Sequence, residues 1–162
     1  MNEVERAFVV DSDRDVGPYV STAAATTPLR QGYVAIDDNG PVELRIRQRG
    51  DTSVLTVKGG TGMVRTEVEF EIDEERAAAL WPLAGERVIE KQRHTIRIAD
   101  GHLAELDVYT GRFAGLTMVE VEFPDAATAL AFEPPDWFGT EVTDDARWGN
   151  ANLARHGRPD QK

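Results

Sequence analysis

The segment VRTEVEFEI alternates strictly, with Glu67, Glu69 and Glu71 on one side of an extended chain and Val68, Phe70 and Ile72 on the other. A helical period would scatter both sets around its axis, so the pattern demands a β-strand with one apolar and one ionic face. It recurs. VELRIRQR sets Arg45 and Arg47 opposite Leu44 and Ile46, and VIEKQRHTIRI gathers Lys91, Arg93 and Arg97 on one face. AELDVY pairs Glu105 with Asp107, MVEVEF pairs Glu120 with Glu122, and LTVKG sets Lys58 at a strand end. The opening NEVERAFVV puts Glu3 and Glu5 side by side, with Ala7 next on the same face.

Strands are predicted near residues 2–10, 31–37, 41–49, 52–58, 63–72, 86–98, 102–110 and 116–123. Turn signals separate them: Asp38-Asn39-Gly40, Gly50-Asp51, Gly59-Gly60, Asp100-Gly101 and Gly111. Eight strands at this spacing predict a mainly β (α+β) fold, an antiparallel barrel or sandwich with a few flanking helices. DEERAAALWPLAG reads as a helix capped by Asp73, with Pro82 and Gly85 closing it. TDDARWGNANLARHG reads as a second, capped by Thr143 or Asp144 and ended by Gly157, and PDAATALAF as a short third. The 162 residues fit one domain, expected over 1–157, with 158–162 as a flexible tail.

Any single ionic face is most simply a face turned to water, and that reading holds for Glu3 and Glu5 taken alone. The set argues otherwise. A surface that is merely soluble mixes signs, whereas these strands are nearly pure: acid pairs at 3/5, 67/69, 105/107 and 120/122, basic pairs at 45/47 and 91/93. If the sheet closes with these faces inward, acids and bases from separate strands converge in a polar lumen, leaving an apolar exterior for helices to cover. Eight acids (Glu3, Glu5, Glu67, Glu69, Glu105, Asp107, Glu120, Glu122) against five bases (Arg45, Arg47, Lys58, Lys91, Arg93) leave three excess negative charges, a balance that one or two divalent cations would neutralise.

A formal charge of −11 opposes extended nucleic-acid binding, although a cleft can still concentrate positive charge around a small anion. No apolar run reaches the roughly 20 residues of a membrane helix, and the acidic start lacks a signal-peptide layout, so a cytoplasmic protein is expected. Without cysteine there are no disulfides or thiolate metal sites. His94, His102 and His156 lie on different elements, and His94 has outward parity, so surface exposure is expected for it. GGTG at 59–62 lacks the lysine of a phosphate loop and reads as a hairpin. Trp81, Trp137 and Trp148 are expected against the outer wall, and Tyr33 in a structural role.

The ordered series EVER, RQGYV, LRIR, LTVKG, VRTEVEFEI, VIEKQRH, AELDVY, EVEF and WFGTEVT resembles the short bacterial members of the CYTH family, the triphosphate tunnel metalloenzymes. The resemblance spans nearly the whole chain and implies an eight-stranded antiparallel tunnel that hydrolyses or rearranges triphosphates with Mg²⁺ or Mn²⁺. It implies metal ligation by Glu3, Glu5, Glu120 and Glu122, and substrate binding by Arg45, Arg47, Lys58, Lys91, Arg93 and Arg147. Lys91, Arg93, Glu67 and Glu69 would be catalytic, with Glu105 and Asp107 lining the lumen. The family's opening Glu-x-Glu-x-Lys has Ala7 at its lysine, and Arg6 has the wrong parity to replace it. Three activities stay open: triphosphate hydrolysis, with inorganic tripolyphosphate or a nucleoside triphosphate as substrate; polyphosphate binding with weakened or lost catalysis; and adenylate cyclisation. A monomer or homodimer would suit any of them.

Overall fold

The computed structural model describes residues 2–37, 42–99 and 101–160. The expected turn Asp38-Asn39-Gly40, the expected strand start at 41, Asp100 of the expected turn Asp100-Gly101 and the last two residues of the expected tail lie outside them. The strands are β1 (Asn2–Val9), β2 (Ala25–Ile36), β3 (Val42–Arg49), β4 (Thr52–Gly59), β5 (Val64–Ile72), β6 (Val88–Arg97), β7 (Leu103–Tyr109), β8 (Thr117–Glu122) and β9 (Thr140–Glu141). The helices are α1 (Gly17–Val20), α2 (Glu74–Ala84), α3 (Ala126–Ala131) and α4 (Asn150–His156).

Every pairing is antiparallel, in the order β5-β4-β3-β2-β6-β7-β8-β1, and β1 also pairs with β5. The first eight strands therefore close into a barrel. The closing seam is short: Asn2, Glu3 and Val4 lie opposite Thr66, Arg65 and Val64, after which Phe8 and Val9 pair with β9 instead. β2 begins six residues earlier than its sequence pattern suggested. Pro28, an unfavourable residue inside a sheet, sits beyond the end of β3, where β2 has β6 on one side only.

Directly opposed residues share a face, so the register assigns the lumen. Glu5 faces Glu122, and Glu120 lies between Ala7 and Glu105. Arg93 faces Asp107, Lys58 lies between Glu43 and Glu67, and Glu3 faces Arg65. The odd-numbered charged positions of β1, β3, β5, β6 and β7 share the lumen face, with Glu71 and Arg97 exposed at the strand ends.

Two apolar clusters stabilise the barrel. One lies outside, where α1, α3 and the 3₁₀ turn Asp136–Phe138 cover Phe8, Leu106, Val119 and Val121; Trp137 stacks on Tyr19 here at 4.2 Å between ring centroids. The other is inside. Val9, Tyr33, Ile89, Tyr109 and Met118 have lumen parity and pack with Val142, Trp148, Ala151 and Leu153. Burying each large apolar side chain is worth about 1.5–3 kcal/mol, so the part of the lumen without charges closes on itself. Trp148 is thus part of an internal plug and not of the outer wall.

α2 lies over β2, β3 and β4. Asp73 caps it by accepting from the Arg76 N–H at 2.8 Å. Gly32 faces this helix, and a Cβ there would stand 2.7 Å from Ala84 Cβ. Helical cover stops short of β5, whose outer residues Val64, Val68 and Phe70 are exposed. The expected C-terminal helix is broken at Gly149 into a 3₁₀ turn at Ala146–Trp148 and α4, and Asp145 caps the turn, not Thr143 or Asp144. Gly157 does end α4, at a φ of 83°. His94 is buried, its Nδ1 2.8 Å from Thr26 Oγ1, because α1 approaches the outer face of β6.

Candidate active site

The charged half of the lumen encloses a cavity of about 570 Å³. Glu3, Glu5, Arg45, Arg47, Lys58, Glu67, Glu69, Lys91, Arg93, Glu105, Glu120 and Glu122 all line it. Asp107 lies beneath it, fully buried between Lys91 and Arg93. Arg147 does not line it. Its guanidinium is 67% exposed and forks onto the Asp145 carboxylate at 2.6–2.8 Å, on the outer side of the 3₁₀ turn.

Ion pairs knit the walls together. Arg93 donates to both Asp107 oxygens at 2.7 Å and to Glu120 at 2.6 Å, and also meets Glu105. Lys58 Nζ lies 2.5 Å from Glu3 and 3.1 Å from Glu67. Arg45 approaches Glu67 at 3.4 Å and Glu43 at 3.8 Å, while Arg47, among the described residues, reaches Glu69 at 3.6 Å. Burial opposes the charge on Glu120, yet Lys91, Arg93, Lys58 and Arg65 together hold its carboxyl far below the ordinary carboxylate range.

Several atoms are left over. Among the described residues, the Nε atoms of Arg45, Arg47 and Arg65 are buried without a hydrogen-bond acceptor. Burial, then the neighbouring Arg45 and Arg93, pulls Arg47 down to about 10. Arg45 and Arg65 still meet carboxylates through their other nitrogens, so Arg47, whose carboxylate contact is Glu69 at 3.6 Å, is the least compensated of the three. Glu122 is short of a cation: burial, then Glu105 and Glu3, raises its carboxyl. Among the described residues it has no ion pair.

Hard oxygen donors suit Mg²⁺ or Mn²⁺, and Glu3, Glu5, Glu120 and Glu122 supply them from adjacent strands. Among the described residues no three acidic or histidine side chains stand grouped to hold a metal, because Glu3, Glu5 and Glu120 are turned onto Lys58, Arg65 and Arg93. The donor set fits such an ion once those side chains turn.

Sequence reasoning missed Arg65, Glu43 and Thr56. Arg65 has the same parity as Glu67, two positions on, so the signal was present. Glu43 likewise shares parity with Arg45, whereas Thr56 became visible only through the register that places it opposite Arg45. Tyr33 accepts from Gln31 Nε2 at 2.9 Å, and burial raises its phenol, which stays protonated.

A closed antiparallel barrel with a lumen of paired acids and under-satisfied guanidinium groups is a tunnel for a compact polyanion. No family model matches the chain. An inorganic triphosphatase of Nitrosomonas europaea is 42% identical to it over 154 residues, covering 95% of this chain and 97% of the relative. Another, of Acetivibrio thermocellus, is 38% identical over 156 residues, covering 95% and 94%. The crystal structure of the inorganic triphosphatase NE1496, 39% identical, superposes with a TM-score of 0.69 over 97% of both chains. The protein HpAC1 of Hippeastrum, only 16% identical, shares the fold at a TM-score of 0.59 over 79% of this chain and 82% of its own. The chain belongs to the CYTH family of triphosphate tunnel enzymes.

Proposed function

We propose that the chain is a divalent-metal-dependent phosphohydrolase that cleaves inorganic tripolyphosphate inside its tunnel. The observation that carries this reading is the row of buried Arg45, Arg47 and Arg65 Nε atoms without acceptors, facing a cavity lined by carboxylates. It agrees with the name borne by the relatives at 38–42% identity. Inorganic tripolyphosphate is preferred because the lumen offers many phosphate grips, while Trp148 and Tyr109 are packed into the apolar plug that shares it.

Arg45, Arg47, Lys58, Lys91 and Arg93 grip the phosphates, the guanidinium forks matching phosphoryl oxygens. Glu3, Glu5, Glu120 and Glu122 would hold Mg²⁺ or Mn²⁺, which when bound neutralises charge on the phosphoryl oxygens. A water attacks the terminal phosphorus in line, the bond to the bridging oxygen breaks, and pyrophosphate leaves with orthophosphate as the second product. Glu69 orients this water and takes its proton in this reading, supported by its being more open than Glu67 and by Thr56 Oγ1 donating to it at 3.1 Å. Burial opposes the charge on Glu67, but Lys58 and Arg45 keep it anionic, so its role is to align them. Lys91 and Arg93, fixed from below by Asp107, stabilise the developing charge.

Phosphate release from tripolyphosphate with Mg²⁺ or Mn²⁺ tests this reading, and silence with every triphosphate sinks it. Ala7 motivates a second reading, a polyphosphate binder whose turnover has lapsed. Loss of one charge-assisted contact to a phosphoryl group costs about 10²–10³ in rate. Tight binding without turnover, together with activity gained in Ala7→Lys, would support that alternative.

A further inference from the structure

Arg65 projects into the lumen from β5, directly opposite Glu3 across the short seam that closes the barrel. Its guanidinium pairs with Glu5 and lies 3.8 Å from Glu3, and its buried Nε has no acceptor. The lumen positions of β1 are Glu3, Glu5, Ala7 and Val9, two acids and no cation, so Arg65 is a positive charge that β5 lends to this strand. Both acids belong to the set best suited to hold a divalent cation. A carboxylate cannot give the same lone pairs to a guanidinium and to a metal. With Glu3 and Glu5 so engaged, Arg65 would be left as a largely buried charge without partners, an unfavourable state unless another anion takes it up.

We propose that Arg65 is an exchangeable counter-ion: it neutralises Glu3 and Glu5 in the metal-free tunnel and turns to the polyphosphate once those carboxylates take a divalent cation. It then fills the cationic role that β1 lacks at Ala7. The inference rests on the metal-dependent triphosphate reading above, and it adds a distinct consequence. Metal and polyphosphate are coupled through Arg65, and coupling free energies act in both directions.

The test is calorimetry on the whole chain, using Mn²⁺ and the hydrolysis-resistant imido analogue of tripolyphosphate, with wild type, Arg65→Gln and Arg65→Lys. Arg65→Gln is expected to bind Mn²⁺ alone about tenfold more tightly, because a competitor for Glu3 and Glu5 is gone. The same variant should bind the analogue about tenfold more weakly when Mn²⁺ is saturating, but with little change when a chelator is present. Arg65→Lys should lie between, and adding Ala7→Lys to Arg65→Gln should restore analogue binding in Mn²⁺. A purely structural arginine would weaken every one of these equilibria and lower the melting temperature. Equal loss of analogue affinity with and without Mn²⁺, or an unchanged Mn²⁺ affinity, overturns the exchange while leaving the metal-dependent reading intact. A wild-type chain that binds no Mn²⁺ overturns both.

Discussion

Glu5 and Glu122 face each other directly across the β1–β8 ladder, two carboxylates in like-charge register inside a closed barrel. Such a pair is destabilising in itself, by a few tenths to about 1 kcal/mol in an ordinary sheet. Arg65 relieves Glu5, but among the described residues Glu122 has no counter-ion. The arrangement is understandable if the lumen is built for a cation that the protein itself does not contain.

Glu122→Gln should therefore raise the metal-free melting temperature while weakening the stabilisation conferred by Mn²⁺. For wild type at a hundredfold excess over the dissociation constant, that stabilisation is about 2.7 kcal/mol. The pH dependence follows from burial and from Glu105 and Glu3, which raise the Glu122 carboxyl above its unfolded value. Its contribution to stability is complete below the unfolded value, about pH 4.3, and is lost as pH rises through the higher folded value. Thermal melts of metal-free protein from pH 4 to 8 should show this decline, and Glu122→Gln should flatten it. An unchanged slope would show that Glu122 is already neutralised.

Asp107 is fully buried and serves two cations at once, Lys91 and Arg93. Asp107→Asn leaves both with an uncompensated environment, and breaking a buried pair in this way costs about 3–5 kcal/mol. Urea denaturation should show a loss of unfolding free energy of that size, as a lower midpoint at unchanged slope. A loss under 1 kcal/mol would mean that Glu105 and Glu120 already balance Arg93.

The lumen was legible in the sequence because strand parity is a hard constraint. Glu67, Glu69, Arg45 and Arg47 could only share their respective faces, and single-sign purity argued that these faces meet. The plug was not legible. Val9, Ile89, Tyr109 and Met118 have lumen parity but lie at strand ends, and only the stagger between strands gathers them with Trp148. The break of the last helix at Gly149 followed the same logic: Trp148 turns into the plug while α4 continues beyond it. Pro28 hid the first half of β2, since a proline argues against a strand unless its neighbour has already ended.

Arg6 tests the parity argument from the opposite face. Its guanidinium forks onto Glu141 at 2.7 Å and donates to the carbonyls of Ala129 and Phe132 at 3.0 and 2.8 Å, tying β9 and α3 to the outside of β1. Arg6→Ala should cost about 1.5–3 kcal/mol of stability by chemical denaturation, the range for hydrogen bonds to charged groups. Affinity for the imido analogue of tripolyphosphate should stay within twofold of wild type. A large loss of affinity at full folding would place Arg6 in the tunnel and contradict the register.

Arg147 and Arg47 separate what resemblance suggests from what the barrel presents. Family likeness gives both a part in substrate binding, yet Arg47 is buried in the lumen with an unsatisfied Nε, whereas Arg147 is 67% exposed and occupied by Asp145. An exposed pair of this kind contributes 0–1 kcal/mol, so Arg147→Ala should change stability little and kcat/KM for tripolyphosphate by less than about threefold. Arg47→Ala should lower kcat/KM by about 10²–10³, the loss expected for a preorganised donor at a developing charge. The comparison is made at matched Mn²⁺ with folding verified by circular dichroism. Equal losses at the two positions would require the Ala146–Trp148 turn to swing inward when substrate binds, carrying Arg147 from Asp145 to the phosphates.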